Sequence, residues 1–320
     1  MTSPTVATGG SDARPGPEGL ASLWPPLAVA EWSDTRDTLQ LWTQIVGKVR
    51  MVNEPLVNHW WSVPLYVSAR GLTTGLIPHA SGQGFQIDLD LRAHHLEVTT
   101  TGGEKRSFAL EAGPVSEFFA HTMALLAEAG VPTKIWPVPV EMQMAIPFPD
   151  DEVHVAYQPE QAERFWLALV QIVRVFTRFR SRFLGKASPV HLFWGALDLA
   201  TTRFSGRPAP PYRSAVPNCG PQVMLEAYSH EVSSCGYWPG GEGEGLFYSY
   251  AYPEPAGFRD SPVRPDSARF DEQLAEFVLP YAVVRTAAEP DLVLLDFLQS
   301  TYEAAANAAA WDRAALERQR

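Results

Sequence analysis

The sequence predicts an α+β protein: two degenerate helix–antiparallel sheet–helix units packed as one globular body. Three observations carry that expectation. Residues 85–91 (FQIDLDL) alternate apolar and polar side chains, the pattern of a strand with one face in a core. Extended runs at 96–101 and 106–110 flank Gly102-Gly103, so the chain doubles back there as a hairpin, a connection that only antiparallel strands can use. Residues 61–70 (WSVPLYVSAR) align without gaps on 194–203 (WGALDLATTR), and each stretch follows a helical run containing Gln-Ile-Val, at 44–46 and 171–173. Read as an internal duplication, the match divides the chain into a disordered tail at 1–23, a first unit at 24–150, a second unit at 151–312 and a polar tail at 313–320.

The elements follow in chain order. The leading tail is rich in Gly, Pro, Ser and Ala and has little to bury. A helix is expected over 34–51, where Leu39, Trp42, Val46 and Val49 share one face and Ser33 or Asp34 can cap the start. Extended chain follows at 59–76, with a corner at Gly71, and then the meander described above. A second helix, 114–129, opens on Pro114 and stops at Gly130. A Pro-rich connector at 136–149 leads to the longest helix, 159–184, whose buried stripe runs from Phe165 through Leu169, Ile172, Phe176 and Phe179 to Phe183. Arg174, Arg178 and Arg182 form a ridge opposite, either a solvated face complementing the helix C-terminus or an anion-binding face. Strands are expected at 190–204, 225–236 and 246–252, and an Ala-rich helix at 291–310 closes the fold.

Composition narrows the class of function. The chain has 320 residues, 46% hydrophobic, which is ample for one large core or two fused ones. Acidic side chains outnumber basic ones 36 to 25, so the field of the whole molecule repels nucleic acid and anionic membrane. No apolar run reaches the roughly 20 residues of a membrane span, and the N-terminus lacks a basic and apolar leader, so a cytoplasmic location is expected. Cys219 and Cys235 are the only cysteines, too few for a disulfide framework or a cysteine-rich zinc site.

The candidate site residues are polar groups inside apolar runs. Asp198 stands in a stretch apolar on both faces, where a carboxylate must be paired with a cation or serve a site. His59 and His191 precede Trp60-Trp61 and Trp194 in the two aligned stretches. His230 shares a strand face with Tyr228, Val232 and Ser234, while Glu231 faces the other way. These four, His59, His191, Asp198 and His230, are the candidate catalytic groups, with histidine acid–base chemistry the most economical form. Trp60, Trp61, Arg203, Tyr228 and Trp238 are the candidate substrate-binding groups. No HxH, HExxH or GxSxG motif occurs, so neither a metal nor a serine nucleophile is signalled. The run at 240–245 (GGEGEG) carries two glutamates and precedes a strand, the opposite of a phosphate loop; it reads as a hairpin loop or a lid.

Several strings resemble an uncharacterised bacterial family known only as a domain of unknown function: 41–50 (LWTQIVGKVR), 58–66 (NHWWSVPLY), 188–194 (SPVHLFW), 229–232 (SHEV) and 297–303 (FLQSTYE). The resemblance extends from Trp24 to about Arg313 and implies a stand-alone cytoplasmic protein, with no activity, cofactor or site residue attached. The expected function is therefore that of an enzyme or small-molecule binder with a His/Asp/Arg/Trp-lined pocket between the two halves. The alternative is a non-catalytic interaction or oligomerising protein that uses some of its ten tryptophans as a surface.

Overall fold

A computed structural model describes residues 23–142, 144–213 and 216–318; the expected tail at 1–23 lies, Leu23 apart, outside the described residues. Seven helices and two six-stranded antiparallel sheets make the α+β class plain among them. The first helix, α1, is Val29–Asn53, longer at its start than the stripe suggests. Every residue from 41 to 50 is buried, so α1 runs through the middle of the molecule instead of lying on it. Trp42 stacks on Phe118 of α2 (Val115–Glu128) at 4.6 Å, and Trp32 packs on Phe165 of α3 (Pro159–Arg180) at 5.1 Å.

The first sheet holds β1 (Tyr66–Val67), β2 (Gly71–Thr73), β3 (Ile77–Pro78), β4 (Gly84–Asp90), β5 (His95–Thr100) and β6 (Lys105–Ala109). Its order is β1-β2-β4-β5-β6, with β3 paired to β4. The alternation read at 85–91 is realised: Phe85, Ile87, Leu89 and Leu91 are all buried.

The second sheet holds β7 (His191–Phe193), β8 (Asp198–Pro208), β9 (His230–Trp238), β10 (Leu246–Tyr252), β11 (Arg269–Asp271) and β12 (Glu276–Pro280), in the order β11-β12-β10-β9-β8-β7. The sheets meet edge to edge where Leu65 and Leu192 exchange both backbone hydrogen bonds, at 3.0 and 2.9 Å. Helix α3 and helix α6 (Pro290–Ala308) cover one face of the second sheet. Asp291 of α6 receives two hydrogen bonds from Arg174 and lies 3.4 Å from Arg178, so two residues of the arginine ridge clamp helix to helix. No helix among the described residues is long and apolar enough to cross a membrane.

Four expectations are corrected. The run 190–204 is a hairpin, because residues 194–197 form a turn in which Leu197 takes φ 58°, so Trp194 stands in a turn and Arg203 in mid-strand. In the other aligned stretch Trp61 closes a 3-10 turn and Arg70 precedes β2. The two stretches therefore build different elements, and the structure does not bear out the duplication; short amphipathic runs align easily because they share a pattern and not a fold. Residues 225–227 belong to a short helix, α4 (Pro221–Ala227), and not to the following strand. Three elements went unread: the outer strands β11 and β12 and the short helix α5 (Tyr281–Arg285). At the C-terminus the expected polar tail includes α7 (Arg313–Leu316), anchored where Glu317 accepts from Arg313 and from the Tyr302 hydroxyl at 2.9 Å. Residues 240–245 form the β9–β10 hairpin loop, tied down by Arg285 on Glu244 at 2.8 Å.

Candidate functional site

The uncovered face of the second sheet is hollow because its central residues are small. Ala200, Gly236 and Tyr248 form one row across β8, β9 and β10, and Thr202, Ser234 and Tyr250 form the next. Partners across a ladder point to the same face, so two strands offer nothing larger than threonine there. A Cβ at Gly236 would run into the Tyr248 ring, so glycine lets that phenol lie across β9 toward β8. The Tyr248 hydroxyl then donates to Asp198 Oδ2. The next row closes on itself, with Thr202 and Ser234 hydroxyls 2.8 Å apart and Tyr250 and Tyr228 hydroxyls also 2.8 Å apart.

The hollow is a cavity of about 310 Å³, at the small end of the range that holds small molecules. Trp60, Trp61, Trp194 and Phe204 line its walls. The Trp194 indole lies against Gly47 of α1 and donates to the Val63 carbonyl at 2.9 Å. Trp60 owes its place to a strained turn: His59 and Trp60 both take left-handed backbone, φ 57° and 61°. Helix α4 holds that turn. Glu226 accepts from the His59 amide at 3.0 Å, and the Val223 carbonyl accepts from the Trp60 indole at 3.0 Å.

Asp198, Tyr248, Glu141 and Lys48 line the cavity with displaced pKa values. Asp198 is half-buried, and burial pushes its carboxyl up to about 6, against the pull of the Tyr248 hydrogen bond. Tyr248 itself is raised well above the usual phenol range, first by burial and then by the Asp198 charge, so it remains a donor. Glu141 stands at the rim with its carboxyl pressed against the Gly195 backbone; withdrawal from water there, and then the Asp198 charge, push its pKa up to about 7. Lys48 is only 1% exposed, and burial lowers it to about 8.

The cavity gathers His59, Trp60, Trp61, Asp198 and Tyr228 and leaves out the other four candidates. Asp198 was expected beside a cation; its partner is a phenol. His59 hydrogen-bonds the Ala227 carbonyl through Nδ1 at 3.2 Å and Lys186 Nζ through Nε2 at 2.7 Å. That assigns the proton to Nδ1 and makes Nε2 the acceptor. Burial and the Lys186 charge lower its pKa, so it is neutral and already occupied. His191 lies behind Trp61 and beside Tyr66, 1% exposed, with neither ring nitrogen hydrogen-bonded among the described residues. Burial, with the charges of Arg50 and Arg180, lowers it to about 3, which removes it from acid–base work near neutrality. His230 sits outside the cavity, its ring 5.7 Å from that of His59 and its Nδ1 3.1 Å from the Ser229 hydroxyl. Arg203 points to the opposite, helix-covered face. Trp238 ends β9 and packs over Gly240 and Gly241, away from the cavity. Of the four expected catalytic groups, the cavity is lined by His59, which is already hydrogen-bonded at both ring nitrogens, and by Asp198.

Sequence reasoning missed Lys48, Glu141, Tyr248 and Tyr250. Two signals could have found three of them. Tyr248, Tyr250 and Tyr252 alternate along one strand, and Gln40, Gln44 and Lys48 form a polar line at i, i+4, i+8 along α1. Among the described residues no three or more His, Cys, Asp or Glu side chains gather as a metal-ligand set. The model of a family of unknown function (DUF5996) matches residues 24–318. No curated protein and no solved structure matches the chain.

Proposed function

We propose that this chain, which belongs to the DUF5996 family, binds a small molecule in the aromatic cavity of its second sheet and moves a proton there through Asp198. One observation carries the reading: a half-buried carboxyl with a pKa raised to about 6 opens into an aromatic-walled cavity and makes no ion pair among the described residues. Structural carboxylates at buried positions are paired; one kept poised near neutrality is the signature of a group held for a ligand. Tyr248 orients the carboxyl through Oδ2, so Asp198 acts on the ligand as base when ionised and as acid when protonated. Glu141 at the rim carries the same chemistry toward solvent. Two free thiols, Cys219 and Cys235, fit a reducing compartment and hence the cytoplasm.

The test is a native mass spectrum of the protein purified from its own host, beside the Asp198→Asn variant prepared identically. A molecule retained by the wild type and lost from the variant is the expected result. Equal retention by both, or a wild type that carries nothing, contradicts the proposal.

A further inference from the structure

The polar line on α1 spends its groups unequally. Gln40 donates to the Gly195 carbonyl at 2.5 Å. Gln44 donates to the Val140 carbonyl at 3.0 Å and accepts from the Val140 amide at 2.9 Å. Lys48, one turn further on, makes no hydrogen bond or ion pair among the described residues; its ammonium lies 5.9 Å over the Trp194 ring and lines the cavity. An ammonium withdrawn from water without a counter-charge is costly, and a fold that keeps one at the wall of a cavity keeps it for something that enters. The acidic lining of the same cavity is Asp198, whose carboxyl is held by the Tyr248 hydroxyl, and Glu141, whose carboxyl lies against Gly195; neither pairs with Lys48 among the described residues.

We propose, resting on the reading of this cavity as a small-molecule site, that its ligand is a zwitterion: a carboxylate seated at Lys48, an amine at Asp198 and Glu141, and an aromatic body against Trp61 and Trp194. Each end of such a ligand supplies the charge that the corresponding wall lacks. A molecule with a single charge leaves one wall uncompensated, so the cavity discriminates against it by desolvation as much as by lost attraction. The aromatic walls accept a flat body and add cation–π attraction for the amine.

The experiment is calorimetric titration of the full chain and of Lys48→Met with four probes sharing one ring system: L-tryptophan, tryptamine, indole-3-propionate and indole. Wild type is expected to bind tryptophan roughly ten- to a hundredfold more tightly than tryptamine, the value of a charge-assisted hydrogen bond. Lys48→Met should erase that preference and leave tryptamine's affinity unchanged, while melting at a higher temperature than wild type because a buried unpaired charge has gone. Tryptamine or indole binding without any advantage for the carboxylate, or a preference surviving in Lys48→Met, overturns this inference and leaves the small-molecule site standing. Failure of all four to bind, bare indole included, overturns both.

Discussion

Strand β8 carries Asp198 on one face and Arg203 on the other, and the protein treats them in opposite ways. Arg203, on the face covered by α3 and α6, is 2% exposed. Its guanidinium lies 3.5 Å from the centroid of Phe179 and 4.2 Å from that of Tyr302, and Nη2 donates to the Phe179 carbonyl at 2.5 Å. Burial lowers it to about 10, which still leaves it cationic at neutral pH. Asp198, on the hollow face, accepts from the Tyr248 phenol and lines the cavity. A charge wrapped in rings is part of the packing; a charge facing an unfilled cavity is an incomplete interaction. The contrast is between an ionisable group that the packing encloses and one that it leaves open, and the proposed role of Asp198 rests on that difference.

The largest expected effect is on the packed face. Arg203→Ala removes a side chain that fills space between three rings, and should destabilise by about 3–5 kcal/mol, as large-to-small changes in a core do. Chemical denaturation reads it directly, and a loss under about 0.5 kcal/mol, the size of an ordinary surface change, would break the comparison. A smaller effect is expected at Gly236, where alanine pushes against Tyr248: about 1–3 kcal/mol of overpacking. The same substitution should release the phenol from Asp198, visible as a changed Asp198 carboxyl titration by NMR. An Asp198 titration unmoved in a protein that folds normally would show that Tyr248 is not what orients it.

Most of the helical frame was legible because α2 and α3 each bury one stripe, which leaves a clear period in the sequence. Helix α1 is located from its apolar stripe, and its polar line at Gln40, Gln44 and Lys48 is legible too; what the pattern does not show is that residues 41–50 are buried on all sides, so that Gln44 and Lys48 face protein and not solvent. The turn at 194–197 was read as strand since an aromatic followed by small residues suits a strand as well. Arg203 shows a different failure. It stands five residues after Asp198 on one continuous strand, and an odd spacing puts the two on opposite faces. Period-two counting alone would have removed it from the site. Glu141 left no signal of its own, since its place depends on how a Pro-rich connector folds back onto Gly195.

The central claim is that Asp198 is a carboxyl held ready for a ligand at the expense of stability. The most direct test is the difference in unfolding free energy between Asp198→Asn and wild type, measured from pH 3.5 to 8. A carboxyl whose pKa is raised on folding holds its proton more tightly in the native state, so wild-type stability falls as pH climbs from about 4 through about 6. Asparagine carries no such penalty. The two proteins should be equally stable near pH 3.5, and the variant should gain steadily to an advantage of at most roughly 3 kcal/mol above pH 6.5. A difference that stays flat with pH, or a variant less stable than wild type at pH 8, would contradict the account.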